Sequence, residues 1–129
     1  MSKNHRIYAI ILSFILTIIS LVMFVVTVRG NEVQECQRLG PKYNGKLEVV
    51  QWDASRVDIL NDEYAIEADW SHKWAEAVGQ SLYYSILTGK KPGIILLVKD
   101  KKKEMKHIYR CQTVCAKYGI KLFLEQVDE

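Results

Sequence analysis

Cysteine is scarce and odd in number, three in 129 residues, so a single chain cannot close all of them into an internal disulfide framework. An excess of one charge is missing as well. The formal net charge is +3, and with Lys3 and Arg6 assigned to a short tail, residues 29–129 hold 16 basic against 15 acidic residues, which removes any global basic footprint for nucleic acid. Between residues 7 and 28 charge is absent altogether. These 22 residues, IYAIILSFILTIISLVMFVVTV, are long enough to cross a bilayer core of about 30 Å as a helix. The stretch Val26-Thr27-Val28-Arg29-Gly30 offers no A-x-A cleavage pattern, and secretory peptides carry shorter apolar regions of about 7–15 residues. An uncleaved single-pass anchor is therefore favoured over a removed signal.

With the tail (1–6) and the transmembrane helix (7–28) set aside, about 100 residues remain, enough for one small core and not two. Residues 29–46 hold Gly30, Gly40-Pro41, Gly45 and several charges and read as a linker or a short irregular helix. Residues 47–129 read as one α/β domain. A first strand covers 47–52, and VDIL and YAIEAD give two more, rich in β-branched and aromatic residues and separated by an Asn61-Asp62-Glu63 turn. The apolar run 94–98, bounded by the Gly89 to Gly93 turn, suits a strand buried on both faces. Residues 102–118 form a helix with Gly119 beyond its end, and 120–127 a last alternating strand. The order β-β-β-α-β-α-β implies a small mixed sheet flanked by helices.

The chemistry gathers between residues 56 and 84. Alternation along YAIEAD places Glu67 and Asp69 on one face and Tyr64, Ile66 and Ala68 on the other. The next helix, capped by Asp69 or Ser71 and ended by Gly89, carries Lys73, Ala77, Gln80 and Tyr84 on one stripe and Trp74, Val78, Ser81, Leu82 and Ser85 on its neighbour, the apparent core face. A solvated sheet face with ordinary pairs, Asp58 and Glu67 against Arg56 and Lys73, explains the same residues without any activity.

Asp58, then Glu67-Ala68-Asp69, then a helix carrying Gln80-Ser-Leu-Tyr-Tyr84 resembles the PD-(D/E)xK nuclease superfamily, the restriction-endonuclease-like fold, and the helix resembles the Q-x-x-x-Y element of its RecB-like branch. The wider run to TGKKPGIILLV also resembles small bacterial proteins that carry an N-terminal signal or anchor. The resemblance implies that Asp58 and Glu67 hold Mg²⁺ or Mn²⁺, that Asp69 orients or adds a ligand, that Gln80 and Tyr84 hold a nucleic-acid strand, and that phosphodiesters are hydrolysed. The superfamily lysine is displaced: Asp69 stands in its place, and Lys73 on the helix has to serve. A catalytically degenerate module of the same fold, binding a protein or nucleic-acid partner at the membrane, is the alternative.

Basic residues follow the apolar segment as well as precede it, so the positive-inside count does not favour export. The signal-anchor arrangement and the resembled proteins lead to the expectation of an extracytoplasmic domain. Lys90, Lys91, Lys99, Lys101, Lys102, Lys103, Lys106 and Arg110 cluster near the second helix; a solvated helix start is favoured there over a phosphate contact. Cys111 and Cys115, one turn apart, read as buried thiols on the apolar face rather than as metal ligands with His107, and a bridge from Cys36 to either stays open.

Overall fold

The computed structural model describes residues 3–127, the side chains of 3, 4 and 28–30 apart. The chain divides into two compact units, Met1–Val33 and Gln34–Glu129.

Helix α1 (Lys3–Leu39) opens the chain. It is long and apolar enough to cross a membrane. Large apolar side chains stand exposed all round it, Tyr8, Ile10, Phe14 and Phe24 among them, so it has no single apolar stripe. Two of its hydroxyls are turned back on the helix: Thr17 donates to the Ser13 carbonyl and Thr27 to the Met23 carbonyl, each at 2.9 Å, so no unpaired polar hydrogen faces outward from these two. The helix continues through residues read from sequence as linker, and its last turn brings Cys36 and Leu39 into the core of the second unit.

That unit is a five-stranded mixed sheet. Strands β1 (Lys46–Val50), β2 (Arg56–Leu60), β3 (Tyr64–Trp70), β4 (Lys91–Val98) and β5 (Lys121–Gln126) lie in sequential order. The first three pair antiparallel, and β3, β4 and β5 pair parallel. Helices α2 (Trp74–Thr88) and α3 (Lys101–Tyr118) make the two crossovers. Right-handed crossovers that advance in one direction put both helices on one face. There Ile94, Leu96 and Val98 of β4 pack with Ala77, Ile108, Cys111 and Cys115. The opposite face packs Ile66, Ala68, Ile95 and Leu97 with Cys36 and Leu39. The central run of β4 is thus buried on both faces, as its unbroken hydrophobicity requires.

Both helices stop at the expected glycines, Gly89 (φ 68°) and Gly119 (φ 66°), whose left-handed backbone is open to a residue without Cβ. The start of α2 differs from expectation. β3 runs on to Trp70, paired with Leu97, and a 3-10 turn, Ser71–Lys73, precedes the helix. Neither Asp69 nor Ser71 caps it, because Asp69 is buried on the Trp70 amide and the Ser71 hydroxyl donates to Glu104 of α3. The sheet also settles the cysteines. Cys36 lies in the cluster on one face and Cys111 and Cys115 in the cluster on the other, so the bridge left open from sequence does not form.

Candidate functional site

Two polar constellations emerge, and they lie on different parts of the sheet. The first surrounds the point where β2 leaves β3. Those strands pair only at Ile59 with Ile66 and Leu60 with Ala65. Beyond that, the Ala68 amide donates to Asp58 Oδ2 at 2.9 Å, a side chain standing in for the missing ladder bond. Glu67 and Asp69 are buried on the α2 side of β3, 6% and 3% exposed. Lys73 Nζ stands 3.4 Å from Asp69 Oδ1, which also accepts from the Trp70 amide. Gln80 Nε2 reaches the Tyr84 hydroxyl at 3.5 Å. Burial raises the Tyr84 phenol above its ordinary pKa, and the carboxylates of Glu67 and Asp58 add to the rise. The fold therefore gathers Asp58, Glu67, Gln80 and Tyr84 near one another and pairs Asp69 with Lys73 beside them. The buried line of α2 is Ala77, Ser81 and Tyr84, so part of the stripe read as a site wall is packed against the sheet.

These carboxylates serve the backbone. Asp58 and Asp69 each accept from a β3 amide, and among the described residues no group of three or more His, Cys, Asp or Glu side chains is placed to hold a metal ion.

The second constellation is cationic. Helix α3 holds six Lys or Arg residues against one acidic residue. Projected at about 100° per residue, Lys102, Lys106, Tyr109, Arg110, Thr113 and Lys117 fall in one stripe about 100° wide, and all six are exposed. Ile108, Cys111 and Cys115 occupy the opposite, buried side. Glu104 is turned away from the stripe: it accepts from the Lys99 and Asp100 amides at 3.0 and 2.8 Å and from Ser71. Burial pushes its carboxyl up, but those hydrogen bonds outweigh it and hold the pKa below the usual range. Asp100 caps the helix through the Lys102 and Lys103 amides. Both acids near the start of α3 are thus engaged with local amides while the lysines face solvent. The sequence pointed to Lys101, Lys102, Lys103, Lys106 and Arg110 as a cluster but not to Lys117 or to the stripe, which needed the helical projection applied to the full length of α3.

No protein-family model and no solved structure matches the chain. Two KilA-N domain-containing proteins of Acanthamoeba polyphaga mimivirus are similar to it: one is 33% identical over 94 residues, 73% of this chain and 36% of the relative, and the other 32% identical over 84 residues, 65% of this chain and 22% of the relative. The chain thus spans about a third or less of the length of the curated relatives it matches. A match of 94 residues is longer than α1 and must take in most of the α/β unit. The descriptions of these relatives, together with the absence of a metal-binding cluster among the described residues, overturn the expectation of a membrane-anchored, metal-dependent nuclease.

Proposed function

We propose that the α/β unit is a nucleic-acid-binding module whose contact surface is the exposed stripe of α3. The observation that carries this is the run of Lys102, Lys106, Arg110 and Lys117 along one side of α3, with no acidic side chain on it. From Lys102 to Lys117 the stripe is about 22 Å long at about 1.5 Å per residue, a length that meets several successive phosphates. Neutralising them releases counterions, which makes such binding strong at low salt and steeply salt-dependent. Tyr109 and Thr113, between the cations, supply a ring and a hydroxyl toward the groove or bases. The similarity to KilA-N domain-containing proteins supports an assignment in this class.

The apolar helix α1 would hold the module at a bilayer. Arg38, Lys42 and Lys46 follow its apolar stretch closely, and an excess of such residues marks the cytoplasmic side, where nucleic acid is found. This placement replaces the extracytoplasmic one expected from the signal-anchor arrangement.

The test is fluorescence anisotropy of the full chain in detergent micelles with labelled single- and double-stranded DNA and RNA, beside a variant carrying Lys102→Glu, Lys106→Glu and Arg110→Glu. Binding weakened at least tenfold in the triple variant, with Lys46→Glu as a near-neutral control, is the expected result. Equal affinity of the triple variant and the wild type, or no binding to any of the four probes, would sink the assignment.

A further inference from the structure

The turn between β1 and β2 carries a side chain that neither the core nor the α3 stripe uses. Trp52 is 86% exposed, although tryptophan has among the largest apolar areas to gain from burial. The turn that presents it is held rigidly. The Gln51 amide donates to the Ser55 carbonyl at 2.8 Å and the Ala54 amide to the Gln51 carbonyl at 3.0 Å. Asp53 Oδ1 accepts from the amide and hydroxyl of Ser55 at 3.0 and 2.6 Å, and its second oxygen accepts from the Tyr83 hydroxyl of α2. Ala54 sits at φ 66°, a left-handed conformation that a side chain seldom adopts unless its surroundings hold it.

Around the indole stand several exposed apolar side chains. Val50 is 67% exposed, Tyr83 43%, and Ile86, one helical turn beyond Tyr83, 79%. Asp53 is engaged as described, and Arg56 is paired with Glu48 at 2.6 Å. Val50 and Trp52 stand at the β1 edge of the sheet, and α3 leads into β5, the opposite edge.

We propose that Val50, Trp52, Tyr83 and Ile86 form an anchor that enters the boundary between lipid headgroups and acyl chains, steadying the α/β unit on the bilayer while the solvent-exposed stripe of α3 stays available to nucleic acid. Indole and phenol rings concentrate at that boundary because one end is apolar and the other forms hydrogen bonds. Five residues, 29–33, lie between the apolar stretch and the second unit, and the six Cα–Cα steps from 28 to 34 span at most about 22 Å even when fully extended. Tethered so closely, the patch meets the lipid surface at a high effective concentration, so a small apolar cluster suffices where it would not for a free protein. The inference rests on the bilayer-crossing reading of α1.

The experiment uses the full chain reconstituted into vesicles of phosphatidylcholine and phosphatidylglycerol carrying a nitroxide high on the acyl chain, and reads tryptophan emission in wild type and Trp52→Phe. Trp70 and Trp74 supply a constant background in both. The expected result is a quenchable fraction at least twofold larger in wild type, lost equally in Trp52→Phe and reduced in Ile86→Glu. Equal quenching in wild type and Trp52→Phe overturns the anchor. Alkaline carbonate extraction separates the two levels of failure: a chain released from the vesicles removes the bilayer crossing and the anchor with it, whereas a chain retained with Trp52 unquenched removes the anchor alone. An unquenched Trp52 whose replacement instead dissociates a dimer, or weakens nucleic-acid binding, assigns the patch to self-association or to base stacking, and either outcome also overturns the proposal.

Discussion

Single side chains in this protein act mostly on the backbone around them. Asp58 is the clearest case: its carboxylate takes the Ala68 amide where β2 departs from β3, so Asp58→Ala leaves that amide without its acceptor. The expected cost is about 1–3 kcal/mol, read as a shift in the urea unfolding midpoint of the chain in detergent; an unchanged midpoint would mean that water replaces the carboxylate freely. Glu125 does a similar job on the other face. Its Oε1 accepts from Lys42 Nζ and from the Tyr43 hydroxyl, each at 2.5 Å, tying β5 to the turn after α1. Burial pushes the Glu125 carboxyl up, but the hydrogen bonds from Lys42 and Tyr43 outweigh it and leave the pKa below the ordinary value of 4.5. A carboxyl depressed on folding stabilises above its unfolded pKa and loses that contribution as pH falls through the folded value. Glu125→Gln should therefore cost about 1–3 kcal/mol at pH 7, and the gap between wild type and variant should close below the ordinary carboxylate pKa of 4.5. A gap independent of pH would assign the loss to packing. None of these partnerships is visible in the sequence, since Asp58 and Ala68 are ten residues apart and Lys42 and Glu125 eighty-three.

At the scale of elements, local signals were read correctly where they were short-ranged and misread where a neighbouring element decided. The ends of α2 and α3 follow from Gly89 and Gly119 alone. The start of α3 follows from Asp100, whose side chain accepts from the Lys102 and Lys103 amides at 3.0 and 3.2 Å. Asp100→Ala should cost about 0.5–2 kcal/mol, measured by denaturant unfolding, with Asp100→Asn restoring most of it; equal losses in both would point to the Lys103 ion pair instead of the cap. The start of α2 was misplaced because Ser71, a good cap by local chemistry, is fully buried and donates to Glu104 on another helix. The core face of α2 was also drawn one stripe too far round. Tyr84 is 6% exposed and packs with Val57 and Ala65 of β2 and β3, a contact that no periodicity within the helix encodes. Along β4, Ile95→Ala should cost about 2–5 kcal/mol, since this side chain is fully buried in the cluster with Cys36 and Leu39; a loss below 1 kcal/mol would mean that this side of the sheet closes up around the deletion.

Across the whole molecule, charge is sorted by position rather than by total. Residues 99–121 hold eight of the Lys and Arg residues against Asp100 and Glu104, while Asp58 and Glu67 give the Tyr84 neighbourhood acidic character. If the stripe on α3 binds phosphates, single Lys102→Ala and Lys106→Ala variants should each reduce the slope of log affinity against log salt by about 1, with the effect uniform across nucleic-acid sequences; an unchanged slope would remove those lysines from the contact. From the sequence alone came the membrane-length helix, the mixed α/β class, the element order, the buried strand 94–98 and the glycine stops, because each depends on length, periodicity or the conformational freedom of residues close together in the chain. The tertiary structure decided which polar residues serve the backbone and which face solvent. It placed Asp58 and Asp69 on β3 amides, turned Glu104 inward, separated Cys36 from Cys111 and Cys115 by a sheet, and lined up Lys102, Lys106, Arg110 and Lys117 on the outer side of α3. Those outcomes depend on contacts between segments distant in sequence, where burial and hydrogen bonding override what any local pattern expresses.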